Sequence, residues 1–196
     1  MKEVTILLSA YNGERYLEEQ LESIAAQKGV STKVVVRDDG SSDRTCDILD
    51  AWKDRSALTW YRGENVGPAQ SFMCLLRDAE DSCYYAFSDQ DDFWLPDKMQ
   101  TAVGKLESYE GRPALYFCQT ELVDKDLNRI DSVIIHPRLT FGESLVYQFV
   151  GGCTMVMNRA LRDIINRCIP NYLSMHDVWI YDIAQAVGAH VVFDET

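Results

Sequence analysis

The sequence predicts an α/β protein with a mostly parallel central sheet flanked by helices, and three observations lead there. Short apolar runs alternate with amphipathic segments through the first half of the chain, the rhythm of strands joined by crossover helices. Each of the first four apolar runs ends in a polar, turn-forming cluster, as strands do at the edge where such sheets bind ligands. The 196 residues suffice for a sizeable core. With no repeat or linker to divide them, residues 1–196 are expected to form one domain.

Val4–Ser9 ("VTILLS") reads as the first buried strand, and residues 14–27 as a helix with Leu17, Leu21 and Ile24 at helical spacing. Lys33–Arg37 is the second strand. A helix follows over 41–54, with Ser42 as its expected N-cap and Ile48, Leu49 and Trp52 on one face. Leu58–Arg62 is the third strand, and Pro68 sits in the first turn of a helix over 68–79. Residues 83–88 ("CYYAFS") form the fourth strand, and 95–108 a helix after Pro96. Beyond Ala114 the rhythm changes. Residues 114–130 read as two strands around a polar turn, 131–140 as a loop, 142–149 as a short helix and 150–158 as strand-like. Residues 175–188 are a helix and 190–195 a last strand, so ending at Thr196 points to a truncated chain or a further C-terminal part.

Composition narrows the function. A net charge of -12 argues against nonspecific nucleic-acid binding, which needs a basic surface. No apolar run approaches the ~20 residues of a membrane span. The N-terminal apolar stretch is too short for a signal peptide, so a cytoplasmic location is the default expectation. The 6 cysteines lack C-x-x-C spacing and several sit in apolar runs, so buried reduced thiols are expected.

The four strand ends carry the chemistry. They are Ser9-Ala10-Tyr11-Asn12-Gly13, Asp38-Asp39-Gly40-Ser41, Glu64-Asn65-Val66-Gly67 and Asp89-Gln90-Asp91-Asp92. Any one of these is a common turn sequence; four at one edge point to a site. Asp-x-Asp after a buried strand supplies hard oxygen ligands for Mg²⁺ or Mn²⁺, which would let an acidic protein hold a diphosphate. Asp38 or Asp39 could accept a hydrogen bond from a nucleobase N–H, and Tyr11 offers a face for stacking.

The stretches "LLSAYNGERYLEEQLESIAAQ", "VVVRDDGSSDRT", "ENVGPAQSF" and "FSDQDDFWLPDKM" resemble, in order and spacing, family 2 glycosyltransferases with the GT-A fold. Together with "GGCTMVMNR" and "MHDVWI", "SDQDDFWLPDK" looks most like bacterial rhamnosyltransferases of cell-wall or capsule polysaccharide synthesis. The resemblance implies inverting, metal-dependent transfer from a nucleotide-diphosphate sugar, dTDP- or UDP-linked, to a hydroxyl of a glycan or lipid-linked acceptor. It implies a nucleotide-binding half over 1–112 and an acceptor-binding half over 113–196, with peripheral association at the inner membrane through a further C-terminal segment. By position, Ser9 and Tyr11 would line the nucleotide pocket, and Asp39, with Asp38 beside it, would read the pyrimidine N3–H. Asn65 and Gly67 would lie near base and ribose. Asp89-Gln90-Asp91 would be the DxD motif, Asp91 the principal metal ligand, Asp89 a helper on the ribose and diphosphate side and Asp92 a supporting residue. His176-Asp177 matches the pair that supplies the general base, Asp177 acting and His176 second to it. The Gln-x-x-Arg-Trp motif of processive synthases is absent from these residues, which favours addition of one sugar or a few.

Three other readings stand beside this one. A phospho-receiver would place its acidic pair after the first strand. A sugar-nucleotide pyrophosphorylase would need a glycine-rich, basic first loop where this chain has "SAYNGERY". A family member could also bind its donor without turning it over.

Overall fold

In the first strand, β1 (Lys2–Ala10), Val4, Ile6, Leu8 and Ala10 face one apolar layer while Leu7 faces the other. Burial on both faces is the condition for a parallel sheet between helical layers. The computed structural model describes residues 1–133, 140–147 and 150–195, without the side chains of 132 and 133. Among these residues the strands β2 (Val30–Asp38), β3 (Leu58–Arg62), β4 (Tyr84–Ser88), β5 (Ala114–Cys118), β8 (Val156–Asn158) and β9 (His190–Asp194) join β1 in a 7-stranded sheet of order β3-β2-β1-β4-β8-β5-β9. β6 (Thr120–Val123) and β7 (Arg129–Val133) form a separate antiparallel hairpin. Within the large sheet β8 alone runs against its neighbours β4 and β5.

Helices α1 (Leu17–Ala25), α2 (Thr45–Lys53) and α4 (Lys98–Leu106) cover one face through Leu17, Leu21, Leu49, Trp52 and Met99. α3 (Pro68–Asp78), α6 (Arg159–Ile165) and α7 (His176–Ala186) cover the other through Phe72, Leu76, Leu161 and Ile180. A short α5 (Phe141–Ser144) packs near α7. The mostly parallel sheet with flanking helices agrees with the expected architecture. Because β8 is reversed, the turn at its beginning lies at the same edge as the carboxyl ends of β1, β2 and β4, where α7 also starts.

The second half departs from the sequence reading. Residues 114–130 contain parts of three strands, because the Asp124 carboxylate accepts from the Asp126 and Asn128 amides at 2.8 and 2.9 Å and closes a hairpin after β5. β7 extends into the expected loop, whose residues 134–139 lie outside the described residues. The helix expected over 142–149 is α5, with 148 and 149 outside the description. The strand-like stretch 150–158 splits into a 3-10 turn, Gly152–Thr154, and β8. α6 was not anticipated; Asn158 caps it by accepting from the Leu161 amide at 3.1 Å. Ser42 is not a cap either: α2 begins at Thr45, whose amide donates to Asp43 at 3.0 Å. Nor are the cysteines uniformly buried, since Cys83 and Cys168 are exposed and the other four half-buried.

Candidate functional site

The loops after β1 and β2 are locked together by reciprocal hydrogen bonds. The Asn12 amide donates to Ser41 Oγ at 2.9 Å, the Ser42 amide to Asn12 Oδ1 at 2.9 Å, and the Gly13 amide to Thr45 Oγ1 at 2.8 Å. Asn12 has φ 50, a left-handed conformation that asparagine tolerates. A second clamp joins β1 to β4: Gln90 Oε1 accepts from the Tyr11 amide at 2.9 Å while Gln90 Nε2 donates to the Tyr11 carbonyl at 3.0 Å. The same side chain lies 2.3 Å from where a Cβ on residue 13 would stand, so Gly13 admits it. Tyr11 is left 48% exposed beside this clamp, available to stack on a ligand.

The expected nucleotide residues separate into scaffold and surface. Asp38 is 0% exposed and accepts from the Ser41 amide at 3.2 Å, with Arg62 Nε at 3.4 Å. It is a buried brace, which corrects its expected place beside the nucleotide. Asp39 is also buried, paired with Arg37 Nη1, and accepts from the Val66 and Gly67 amides at 3.1 and 2.9 Å. Arg37 donates further to the Glu64 carbonyl at 2.9 Å and to Ser71 Oγ at 3.2 Å, and Ser9 Oγ reaches Ser71 Oγ at 2.6 Å. Gly67 has φ 80 and starts α3, and Asn65 is exposed at the rim. This network uses most of the roughly four acceptor positions of the Asp39 carboxylate.

The acidic loop after β4 is built differently. Asp89, Asp92 and Cys153 bring ligand atoms within 4.8 Å of one another, whereas Asp91 is exposed and outside that group. The structure thus pairs Asp89 with Asp92, the residue expected only to support, and not with Asp91. Burial pushes the Asp89 carboxyl up to about 7, helped by repulsion from Asp92, Asp91 and Asp177. Burial raises Asp92 too, and its Oδ2 is buried without a hydrogen-bond partner among the described residues. Crowded carboxylates with an unmet acceptor fit a hard divalent cation. Burial pushes the Cys153 thiol up as well, and a hard cation prefers the carboxylate oxygens beside it.

Sequence reasoning missed three residues, two of which, Lys98 and Gln20, support this loop. Lys98, at the start of α4, sends its ammonium to the Cys153 carbonyl at 2.7 Å and over the Trp94 ring at 4.0 Å. Gln20 is wholly buried in α1. With its amide turned so that each end meets its complement, it donates to the Asp92 carbonyl at 2.6 Å and accepts from Ser88 Oγ at 2.7 Å and Trp94 Nε1 at 3.2 Å. Its signal was a polar residue on the apolar stripe of Leu17, Leu21 and Ile24. Arg37, the charged end of an apolar strand, carried a similar one.

Asp177 stands in the first turn of α7, buried, with Oδ1 accepting from the Val178 amide at 2.7 Å and Oδ2 from the Gly152 amide at 3.1 Å. Burial raises its pKa while these amides oppose the rise. Its charge acts on Asp89, and Gly152, whose amide holds it, precedes Cys153 of the acidic group, which sets Asp177 beside the acidic loop. His176 lies behind it with ring centroids 4.2 Å from Phe72 and 5.0 Å from Phe87. Both imidazole nitrogens lack hydrogen-bond partners among the described residues, and burial lowers the pKa to about 3. His176 packs against Phe72 and Phe87 as a neutral ring. Among the described residues no helix is long and apolar enough to cross a membrane.

The pattern of Glycosyl transferase family 2 matches residues 5–165. The dTDP-rhamnosyl transferase RfbG of Shigella flexneri is 35% identical over 109 residues, 50% of this chain and 36% of that protein. An Escherichia coli relative, the UDP-Glc:alpha-D-GlcNAc-diphosphoundecaprenol beta-1,3-glucosyltransferase WfaP, is 24% identical over 96% of this chain and 73% of its own length. An uncharacterized glycosyltransferase of Rickettsia prowazekii is 24% identical over 79% of this chain, and the match spans about half, 49%, of that relative. Among solved structures, Staphylococcus aureus TarS 1-349 with UDP-GlcNAc superposes with TM-score 0.74 at 20% identity, over 98% of this chain and 56% of that one. The mannosyltransferase PcManGT of Pyrobaculum calidifontis, in complex with GDP-Man and Mn2+, does so with TM-score 0.73 at 22% identity, over 98% and 54%. The fold is shared with both, and the chain belongs to glycosyl transferase family 2.

Proposed function

We propose that this family 2 member transfers a sugar from a nucleoside-diphosphate donor to an acceptor hydroxyl with inversion, using Asp177 as general base. The observation that carries the reading is that the Gly152 amide holds Asp177 while the next residue, Cys153, lies with Asp89 and Asp92 at the carboxyl edge of the sheet. The domain reading extends to a donor half over 1–112 and an acceptor half over 113–196. Tyr11 stacks on the base, and Asn65 and Gly67 border base and ribose. Asp39 offers its remaining acceptor position to a base N–H such as pyrimidine N3–H, with Ser9 held beside it through Ser71. RfbG and WfaP support a dTDP- or UDP-linked donor, rhamnose among the candidates, and a glycan or lipid-linked acceptor of bacterial surface polysaccharide. Location is then cytoplasmic, at the inner face of the membrane.

Asp89, with Asp91 and Asp92 from the same loop, would hold Mg²⁺ or Mn²⁺, a choice supported by the Mn2+ in the PcManGT complex. When bound, the ion neutralises charge on the departing diphosphate. Asp177 takes the acceptor proton on a carboxylate oxygen. The freed oxygen pair forms the bond to the anomeric carbon, and the pair of the breaking C–O bond leaves on the diphosphate. A buried carboxylate with a raised pKa suits this role, because it binds the proton more readily than an exposed one. The Gly152 and Val178 amides fix its orientation.

Calorimetry with dTDP and UDP, with and without Mn²⁺, tests the binding half: at least one nucleotide binds, and more tightly with the ion. No binding, or equal binding without Mn²⁺, rejects the metal-held diphosphate. Asp177→Asn is expected to keep nucleotide affinity within about threefold and to lose transfer by roughly 10²–10⁴-fold. Transfer near the wild-type rate would remove Asp177 from the role.

A further inference from the structure

We infer that Lys98 is a positioning residue: through the Gly152–Thr154 turn it ties the acidic loop to Asp177 and holds that carboxylate in place. The inference rests on the transferase reading for its catalytic consequence, but on geometry for the tie itself. The Lys98 ammonium donates to the Cys153 carbonyl at 2.7 Å, and one residue earlier the Gly152 amide donates to Asp177 Oδ2 at 3.1 Å. The turn between these bonds is stiff. The Thr154 amide closes onto the Gly151 carbonyl at 3.0 Å, the Met155 amide onto the Gly152 carbonyl at 2.9 Å, and Thr154 Oγ1 onto the Gly151 carbonyl at 2.7 Å. A pull on the Cys153 carbonyl is therefore carried to the Gly152 amide.

The other side of the turn is closed by His176. A Cβ on residue 152 would stand 2.3 Å from His176 Nε2, so only glycine lets the turn rest on that ring. Lys98 is anchored in turn by the Trp94 ring, whose backbone amide donates to Ser23 Oγ at 3.1 Å. The charges of Asp92 and Asp89 also act on Lys98, and the Cys153 thiol lies with those two carboxylates. A buried ammonium carries a desolvation cost that an apolar side chain of similar length would avoid. Its placement between the acidic loop and the turn that grips the base is what a tie requires.

The test uses the ¹⁵N-labelled, metal-free chain. In the wild type the Gly152 amide proton is expected to shift with pH as Asp177 titrates, and Asp177→Asn abolishes that shift. The charge of Asp177 acts on Asp89, so the titration is repeated with Asp89→Asn, which should leave the Gly152 response in place. Lys98→Met keeps the stem and removes the donor. It should cut the Gly152 response by more than half and, at saturating donor and Mn²⁺, lower kcat by about ten- to a hundredfold through misplacement of the base. A merely electrostatic role for Lys98 would move the midpoint and preserve the amplitude, and that result overturns the inference. So does a wild-type Gly152 amide that ignores pH. Should the Met variant not fold, Lys98→Arg, which keeps a cationic donor, is read instead: amplitude and kcat are retained or reduced together if the tie is real, and a fall in kcat with full amplitude rejects it. If the wild type turns over no donor but Lys98→Met still quenches the Gly152 response, the tie stands and the transferase reading fails.

Discussion

The loops after β2 and β3 and the loop after β4 both gather carboxylates at one edge of the sheet, yet they are opposite in kind. Around Asp38 and Asp39 the acceptors are met by Arg37, Arg62 and backbone amides. Around Asp89 and Asp92 the carboxylates face each other, and Asp92 Oδ2 is buried without a hydrogen-bond partner. Satisfied buried polar groups rigidify a structure, while unmet ones mark a place kept for something else. The first region is a scaffold that presents Tyr11, Asn65 and Gly67; the second leaves carboxylate charge unmet, which is why the proposed cation and reaction are placed there.

The contrast breaks most visibly if Arg37 is lost. Arg37→Met leaves the buried Asp39 charge without its ion-pair partner, and urea denaturation should show a loss of about 3–5 kcal/mol. Asp89→Asn should do the reverse in the metal-free protein. The folded-state pKa of Asp89, about 7, lies above its ordinary 3.8, so folding retains a proton that the unfolded chain releases between those values. Stability then falls as pH rises through that window, and the Asn variant, free of the penalty, should gain roughly 2–4 kcal/mol at pH 8. Equal pH profiles for the two proteins would dissolve the contrast.

Mn²⁺ binding sharpens it further. A cation must displace the Asp89 proton, so affinity should rise by up to about tenfold per pH unit from pH 5 to 7 and level off above. Titration calorimetry in buffers of different ionisation heat would count the released proton. The smallest effect belongs to the clamp between the regions. Gln90→Ala removes two hydrogen bonds to Tyr11 at a half-exposed site and should lower stability by about 1–2 kcal/mol, with nucleotide affinity falling as Tyr11 loosens.

The sequence by itself determined the layered α/β plan and the edge at which function sits. Apolar periodicity and turn residues are local signals, and they placed β1 to β4 and the polar clusters behind them. It also pointed to Asp89 and Asp177, whose motifs are local too. The region after Ala114 was less legible, because β8 is short and reversed and owes its place to β4 and β5. Only the tertiary structure decided which carboxylates are spent on the scaffold and which are left in excess. Asp38 and Asp39 sit side by side in "RDDGS" as Asp91 and Asp92 do in "SDQDDFW". What separates them is largely long-range: Arg62 and the Val66 and Gly67 amides join the neighbouring Arg37 in closing on one pair, while the Cys153 thiol reaches Asp92 from a distant part of the chain. Hydrogen-bond satisfaction belongs to the folded neighbourhood, and no local pattern encodes it.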